Sequence, residues 1–316
     1  MRENALKKIW ARGEAVVNGW LSIPSGFSAE VMAHQGFDSL TIDMQHGVVD
    51  YQVAVNMLQG ISTLGVVPLA RVPWNDPARL MKILDAGAYG VICPMINTAQ
   101  EAEAMVRACK YPPRGFRSWG PVRASLYAGS DYGDHANVET IVMPMIETAE
   151  ALKNLDEILS VDGVDAIYVG PSDLSLAMGL KPRLDQTDPP VVDAQKKIVA
   201  ACKRHNVVAG IHNATATYSL KMIAEGYQLS GLGAGLPPRK WASYGRPAPR
   251  PESCRPTSGG AAGRRAARAG ARQSGVVRAA RPARRRAATG RGGPGAAARR
   301  GRSPLLPHHA AGRDAS

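Results

Sequence analysis

The sequence predicts an α/β protein built as a (β/α)8 TIM barrel, and three observations carry that prediction. Short, β-prone apolar runs alternate with helix-length segments seven times, and an eighth run begins near Tyr227. The runs are apolar on both faces, as strands of a parallel sheet covered by helices must be. Carboxylates and other chemically active residues fall where the runs end, which in a barrel is a single mouth.

Taken in order, Ala5 to Ala15 is expected to form a first helix, and Gly19–Ile23 a first strand stopped by Pro24-Ser25-Gly26. Ser28 is placed as cap of a helix from Ala29 to Gln35. The second strand is Phe37–Asp43, followed by a helix over Tyr51–Leu64. Val66–Val72 is the third strand, and Asp76-Pro77 opens the helix Ala78–Ala86. Gly90–Met95 is the fourth strand, with Thr98 capping a helix to Cys109. A long loop is expected from Tyr111 to His135. The fifth strand, Ile141–Ile146, meets Glu147, and a helix covers Ala149–Leu159. The sixth, Ala166–Val169, is ended by Gly170-Pro171. A helix over Pro190–His205 precedes the seventh strand, Val207–Ile211, and the helix Ala216–Glu225 precedes Tyr227-Gln-Leu229. A dinucleotide-binding fold is not expected, because the turn after the first strand lacks the glycine-rich phosphate loop.

The net charge of +13 is unevenly distributed. Residues 237–316 hold 19 of the 39 Lys and Arg against two acids, Glu252 and Asp314, and so carry +17. Residues 1–236, with 20 bases against 24 acids, carry −4. The basic segment has no Ile, Phe or Met and long tracts of Arg, Ala, Gly and Pro, so too little apolar surface is available to offset chain entropy. The expected organisation is a barrel domain over 1–236 and a disordered basic tail over 237–316. The tail would bind nucleic acid adventitiously, by charge and without sequence preference. No stretch suits a membrane span, and Met1 to Lys8 lacks the apolar run of a secretory signal. The four cysteines show no paired spacing, which suits free thiols in a reducing cytoplasm.

Candidate site residues at strand ends are Asp43 and His46, Arg71, Glu147, and Gly170-Pro171-Ser172-Asp173. Two carboxylates, Glu147 and Asp173, suit an oxygen-liganded divalent cation such as Mg2+ or Mn2+ that leaves positions for water and substrate. Such an ion can chelate a 2-oxo acid and act as a Lewis acid on its enolate. Arg71 can donate to the developing oxyanion, and His46 can move a proton, with a nearby Asp fixing its tautomer. Each has a plainer reading: Asp43 and the acids as helix caps, Arg71 as a surface ion-pair partner, His46 as a loop histidine. His34, His135, His205 and His212 are read as non-functional, His212 least firmly because it follows the seventh strand. No lysine stands at a strand end where a Schiff-base route would need one.

Six ordered motifs carry a resemblance: Asp43-Met-Gln-His46-Gly, Leu69-Ala-Arg71-Val-Pro-Trp-Asn-Asp-Pro77, Leu84-Asp-Ala-Gly-Ala88, Lys110-Tyr-Pro-Pro-Arg-Gly115, Met145-Ile-Glu147-Thr and Gly170-Pro-Ser-Asp-Leu-Ser175. Over residues 5–229 the chain resembles the HpcH/HpaI aldolase family, class II metal-dependent pyruvate aldolases. The resemblance implies a barrel of the phosphoenolpyruvate/pyruvate type that reversibly cleaves 4-hydroxy-2-oxo acids to pyruvate and an aldehyde through a metal-bound enolate. The metal would be Mg2+, Mn2+ or Co2+, held by Glu147 and Asp173. His46 would be the base, Arg71 the transition-state stabiliser, and Ser172 a backbone donor to the pyruvate carboxylate. Asp85 resembles the acid that raises the basicity of the histidine, in some members from a neighbouring subunit, so a homo-oligomer is implied. A lyase of CoA thioesters is the nearest alternative in that superfamily.

The chain departs from the family pattern in three places. Gln45 stands where the family often has Glu, and Met145 where many members have a substrate-contacting Gln. After Leu229 the expected end of the eighth strand and a final helix give way to Ser230-Gly-Leu-Gly-Ala-Gly-Leu-Pro-Pro and the basic tail. That change resembles out-of-frame translation, which resequencing the locus tests, and the alternative reading is a non-functional product. An incomplete eighth unit is expected to expose the edges of the first and seventh strands. Arg117 to Ala124 and Tyr127 are expected to shape the aldehyde end of the pocket.

Overall fold

Eight parallel strands close into a barrel in sequence order. The structure, a computed structural model, describes residues 1–233; the basic segment and its predicted boundary lie outside the described residues. The barrel is assembled from α1 (Ala5–Ala11), β1 (Val16–Leu21), α2 (Gly26–Ala33), β2 (Ser39–Asp43), α3 (Tyr51–Ile61), β3 (Val67–Arg71), α4 (Pro77–Asp85), β4 (Gly90–Cys93) and α5 (Ala99–Cys109). It continues with α6 (Val122–Ala128), α7 (Tyr132–Glu139), β5 (Ile141–Ile146), α8 (Ala149–Lys153), α9 (Leu155–Leu159), β6 (Ala166–Val169), α10 (Pro171–Ala177), α11 (Pro189–His205), β7 (Val208–Asn213), α12 (Ala216–Ala224) and β8 (Leu229–Leu232).

The expected exposed edges are absent. Four residues of β8 pair with β1, from Val16 opposite Leu229 to Gly19 opposite Leu232, and with β7, from Gly210 opposite Leu229 to Asn213 opposite Leu232. Closure needs backbone hydrogen bonds on both sides and side chains that fit the taper. The Leu-Ser-Gly-Leu run supplies both within four residues. Gly231 is the critical fit, since a Cβ there would overlap the hydroxyl of Tyr168 on β6.

Local chemistry fixes the helix starts. Asn4, Ser25, Asp50, Asp76, Thr148 and Thr215 each accept a backbone N–H at their helix N-termini, and Thr98 with Glu101 forms a reciprocal capping box. Ser25, not Ser28, caps α2, because its side chain accepts from the Ser28 N–H one turn on. β1 begins at Val16, three residues before the expected start. Its backbone pairs from there with β8, and the Val17 N–H also meets the Asp38 carboxylate at 2.8 Å. The loop expected from Tyr111 to His135 contains two short helices, α6 and α7, and Asn154 divides the helix expected over Ala149–Leu159.

Two apolar layers result. One fills the barrel with Val16, Trp20, Leu69, Ile92, Met143, Met145, Tyr168 and Leu229, closed below by Leu6 of α1. The other joins the outer strand faces to the helices. The polar ends of β2, β3, β5, β6 and β7 therefore converge above a packed plug of mostly apolar side chains.

Gly231→Ala is expected to destabilise the protein by about 1–3 kcal/mol through overpacking against Tyr168. Gly233→Ala, at a position with open space around it, should be near neutral. Urea denaturation of the two variants side by side measures the contrast.

Candidate active site

The C-terminal strand ends enclose a cavity of about 290 Å3, lined in part by Trp20, Asp43, His46, Arg71, Met145, Gly170, Pro171, Ser172, Asp173 and His212. A larger cavity of about 510 Å3 lies at the opposite barrel end, between α1 and α11. Its one acid, Asp165, is already paired with Lys7 at 2.7 Å, and no convergent set of chemically active groups faces it. The smaller cavity holds the chemistry.

Asp43, the last residue of β2, is almost fully buried. Its Oδ1 accepts from Arg71 Nε at 2.9 Å and from the backbone N–H groups of Gln45 and His46 at 3.1 and 3.2 Å. Its Oδ2 accepts from Arg71 Nη2 at 2.7 Å and Trp20 Nε1 at 3.1 Å. Burial alone would raise its pKa, but the hydrogen bonds and charge of Arg71, with Trp20 and the His46 N–H, outweigh it and hold the carboxyl below its ordinary value. Asp43 therefore stays ionised, aims Arg71 and fixes the backbone of the loop that carries His46. The His46 ring lines the cavity and meets no hydrogen-bonding partner among the described residues.

Glu147 has the opposite environment. It is 2% exposed, and Oε1 accepts from the Met95 N–H at 2.9 Å. Met95 holds a left-handed φ of 58°, a conformation a non-glycine residue adopts at a cost, and that backbone is what carries the N–H to Glu147. Oε2 packs against Gly170, where a Cβ would overlap it. Burial pushes the Glu147 carboxyl up to about 7; the Met95 N–H opposes this, the charge of Asp173 adds to it, and Arg71 opposes it. Asp173 is exposed in the first turn of α10, which Pro171 starts and which Gln186 braces through Ser175 and the Pro171 carbonyl.

Two converging carboxylates, one lacking a cationic hydrogen-bond partner and raised by the other, make a donor set that fits a hard divalent cation. Among the described residues no group of three or more His, Cys, Asp or Glu converges, so the protein would supply two ligands and leave the rest to water and substrate.

Within one chain, three residues or segments stand elsewhere than the sequence suggests. Asp85 ends α4 at the far end of the barrel from His46, where it pairs with the buried Arg117 at 2.7 Å. The segment Arg117–Ala124 and Tyr127 line no part of the cavity; Tyr127 packs on Tyr89 beside β4. His212, read as non-functional, stands on the cavity wall against Trp20. Trp20, Met95 and Tyr168 went unnoticed as site residues because apolar runs hide them. Only position near a strand end signals Trp20 and Tyr168, and nothing signals the Met95 backbone.

The HpcH/HpaI aldolase/citrate lyase family pattern matches residues 19–235. A hydroxypyruvate/pyruvate aldolase of Rhizorhabdus wittichii is 42% identical over 228 residues, covering 71% of this chain and 89% of that protein. A 4-hydroxy-2-oxo-heptane-1,7-dioate aldolase of Klebsiella pneumoniae is 39% identical over 210 residues, covering 65% and 79%. Among solved structures, an HpcH/HpaI aldolase/citrate lyase family protein from Burkholderia cenocepacia superposes with a TM-score of 0.69 at 32% identity, covering 73% and 93%.

The pH dependence of the metal-free fold follows from Glu147. Its carboxyl is raised in the folded state, so its stabilising contribution is complete below pH 4.5 and is lost as pH rises through about 7. In chelated protein, Glu147→Gln should be the less pH-sensitive of the two between pH 4.5 and 7, by about 2–3 kcal/mol over that window. Denaturant titrations at half-unit pH steps measure it, and parallel curves would refute the assignment.

Proposed function

The chain belongs to the HpcH/HpaI aldolase/citrate lyase family, and on that premise we propose that it is a class II pyruvate aldolase, cleaving 4-hydroxy-2-oxo acids reversibly to pyruvate and an aldehyde. The observation that carries the reading is one small cavity lined by Asp173 and the Asp43–Arg71 fork, with the buried Glu147 packed against Gly170 in its wall and raised in part by Asp173. Glu147 and Asp173 would hold a divalent cation such as Mg2+, Mn2+ or Co2+, which would supply Lewis-acid charge for the 2-oxo acid.

The protein groups divide the remaining work. Ser172, in the first turn of α10, offers its backbone N–H to the substrate carboxylate. His46 takes the proton of the 4-hydroxyl as the C3–C4 bond breaks and the electron pair passes into the 2-oxo group. Arg71 Nε and Nη2 are held by Asp43, which leaves Nη1 to meet the developing negative charge. His46 then returns a proton to C3, and pyruvate and aldehyde leave. A CoA thioester is disfavoured, because the cavity is small and Arg71 is the only Lys or Arg among its described lining residues.

The His46 ring has no hydrogen-bonding or ion-pair partner among the described residues, whereas Asp85 is held at the opposite barrel end by Arg117. A homo-oligomer reconciles the two, with Asp85 of the partner subunit facing His46. The buried free thiols Cys93, Cys109 and Cys202 support a reducing cytoplasm, and among the described residues no helix is long and apolar enough to cross a membrane.

Two outcomes are expected. Proton NMR in D2O should show Mg2+- or Mn2+-dependent exchange of the pyruvate methyl protons. That exchange should fall at least a hundredfold in His46→Ala and Asp173→Ala and be abolished by chelation. Cooperatively unfolding wild-type protein that does not exchange would end the aldolase reading. Separately, inactive His46→Ala and inactive Asp85→Ala chains should regain activity when unfolded together and refolded, since hybrid oligomers contain some intact sites. A mixture that stays inactive would remove Asp85 from the site.

A further inference from the structure

One wall of the cavity has no part in the steps above. Trp20 of β1, Tyr168 of β6 and His212 of β7 pack there ring to ring. The Trp20 and Tyr168 centroids are 5.5 Å apart and stacked, and His212 meets Trp20 edge-on at 4.6 Å. Tyr168 is fully buried, and its hydroxyl lies 3.1 Å from His212 Nδ1, its one hydrogen-bonding partner among the described residues. Burial holds the phenol well above its usual range, so it keeps its proton. A buried hydroxyl with a single partner must donate to it or leave its proton unsatisfied. Nδ1 is therefore the acceptor, and the ring proton of His212 sits on Nε2. Burial, reinforced by Arg71, pushes the His212 imidazole down to about 4, so it is neutral at physiological pH. Nε2 has no partner among the described residues, and His212 lines the cavity.

This wall differs from the rest of the site. The pyruvate half is defined by Glu147, Asp173 and the first turn of α10, on β5 and β6. The single lining cation, Arg71, is committed to Asp43. A neutral N–H on an aromatic wall gives little charge for a second carboxylate and leaves a donor unpaired against an alkyl chain. It suits a neutral oxygen.

We propose that His212 is a specificity-determining residue whose Nε2–H donates to the hydroxyl oxygen beside the carbonyl of a short hydroxyaldehyde, making two- and three-carbon hydroxyaldehydes the acceptors this site selects. The inference rests on the aldolase reading and adds the chemical class of its second substrate. The cavity, about 290 Å3, is small, which favours an acceptor of that size.

The test compares glycolaldehyde with acetaldehyde, which lacks only the hydroxyl, as acceptors for pyruvate. The quantity read is the ratio of their kcat/KM values within each protein, so changes in overall activity cancel. In His212→Phe, which keeps an aromatic wall, the ratio should fall about tenfold, as the loss of one neutral hydrogen bond predicts. Tyr168→Phe, which frees the tautomer, should lower it by a smaller factor. Succinic semialdehyde should gain nothing in either variant. Nitrogen-15 NMR of wild-type protein at pH 7 should show His212 neutral with its proton on Nε2, a readout that needs no catalysis. An unchanged ratio in both variants, or an Nδ1–H or cationic His212, would overturn the proposal while metal-dependent pyruvate exchange left the aldolase reading standing. Absence of that exchange in the wild type would remove both.

Discussion

The mouth of this barrel is organised by the buried carboxylate of Asp43. Its two oxygens accept five hydrogen bonds drawn from β1, β3 and the loop after β2. A buried carboxylate is tolerated only when its lone pairs are filled and its charge is opposed, and here both conditions are met by groups the chemistry also needs. Arg71 is held in a two-point fork that fixes its plane, with its guanidinium 4.8 Å above the Trp20 ring. The loop bearing His46 is tied down through its own backbone. Replacing Asp43 would therefore release three functional groups at once, and its effect on activity would not partition into separate contributions.

Glu147 shows the complementary arrangement. It is as buried as Asp43, yet it has one backbone donor, a like charge nearby and no cationic hydrogen-bond partner among the described residues. Two carboxylates in one pocket with opposite pKa shifts mark different duties: one permanently charged to orient, the other uncomfortable until a cation arrives. Some of the strain is carried by the backbone, at Met95 with its positive φ.

Much of this was legible in the chain. A residue where an apolar run meets Gly, Pro or a polar turn must lie at the barrel mouth once the fold is known, and that logic located Asp43, His46, Arg71, Glu147 and Asp173. It could not locate Trp20 or Tyr168, because inward and outward residues alternate along a strand and both kinds are apolar in a parallel barrel; it marked His212 as able to line the mouth but had no partner to give it a role. Asp85 stands apart from the site within one chain for another reason. Its motif is plain, but α4 runs away from the mouth, so a motif that belongs with the site in sequence stands apart from it in one chain. The eighth strand misled through its composition. Ser230 and Gly231 look like the end of order, yet they are the small residues a closing strand requires beside Tyr168 and Asn213.

Two glycines show why that requirement is strict. At Gly170 the missing Cβ leaves room for Glu147 Oε2, and at Gly231 it leaves room for the Tyr168 hydroxyl. In both cases a polar atom of a large side chain occupies the space a methyl group would fill. The first gap keeps a carboxylate buried while a carboxylate on the next helix approaches it. The second leaves room on β8 for the Tyr168 hydroxyl, which meets His212 of the neighbouring strand β7. Each gap costs the packing of one methyl group, a fraction of the few kcal/mol that a displaced catalytic oxygen would remove from transition-state binding. Gly170 lines the cavity and Gly231 packs on Tyr168, which also lines it, so β8, short as it is, does more than close the sheet. It sets the depth at which Tyr168, and through it His212, can sit.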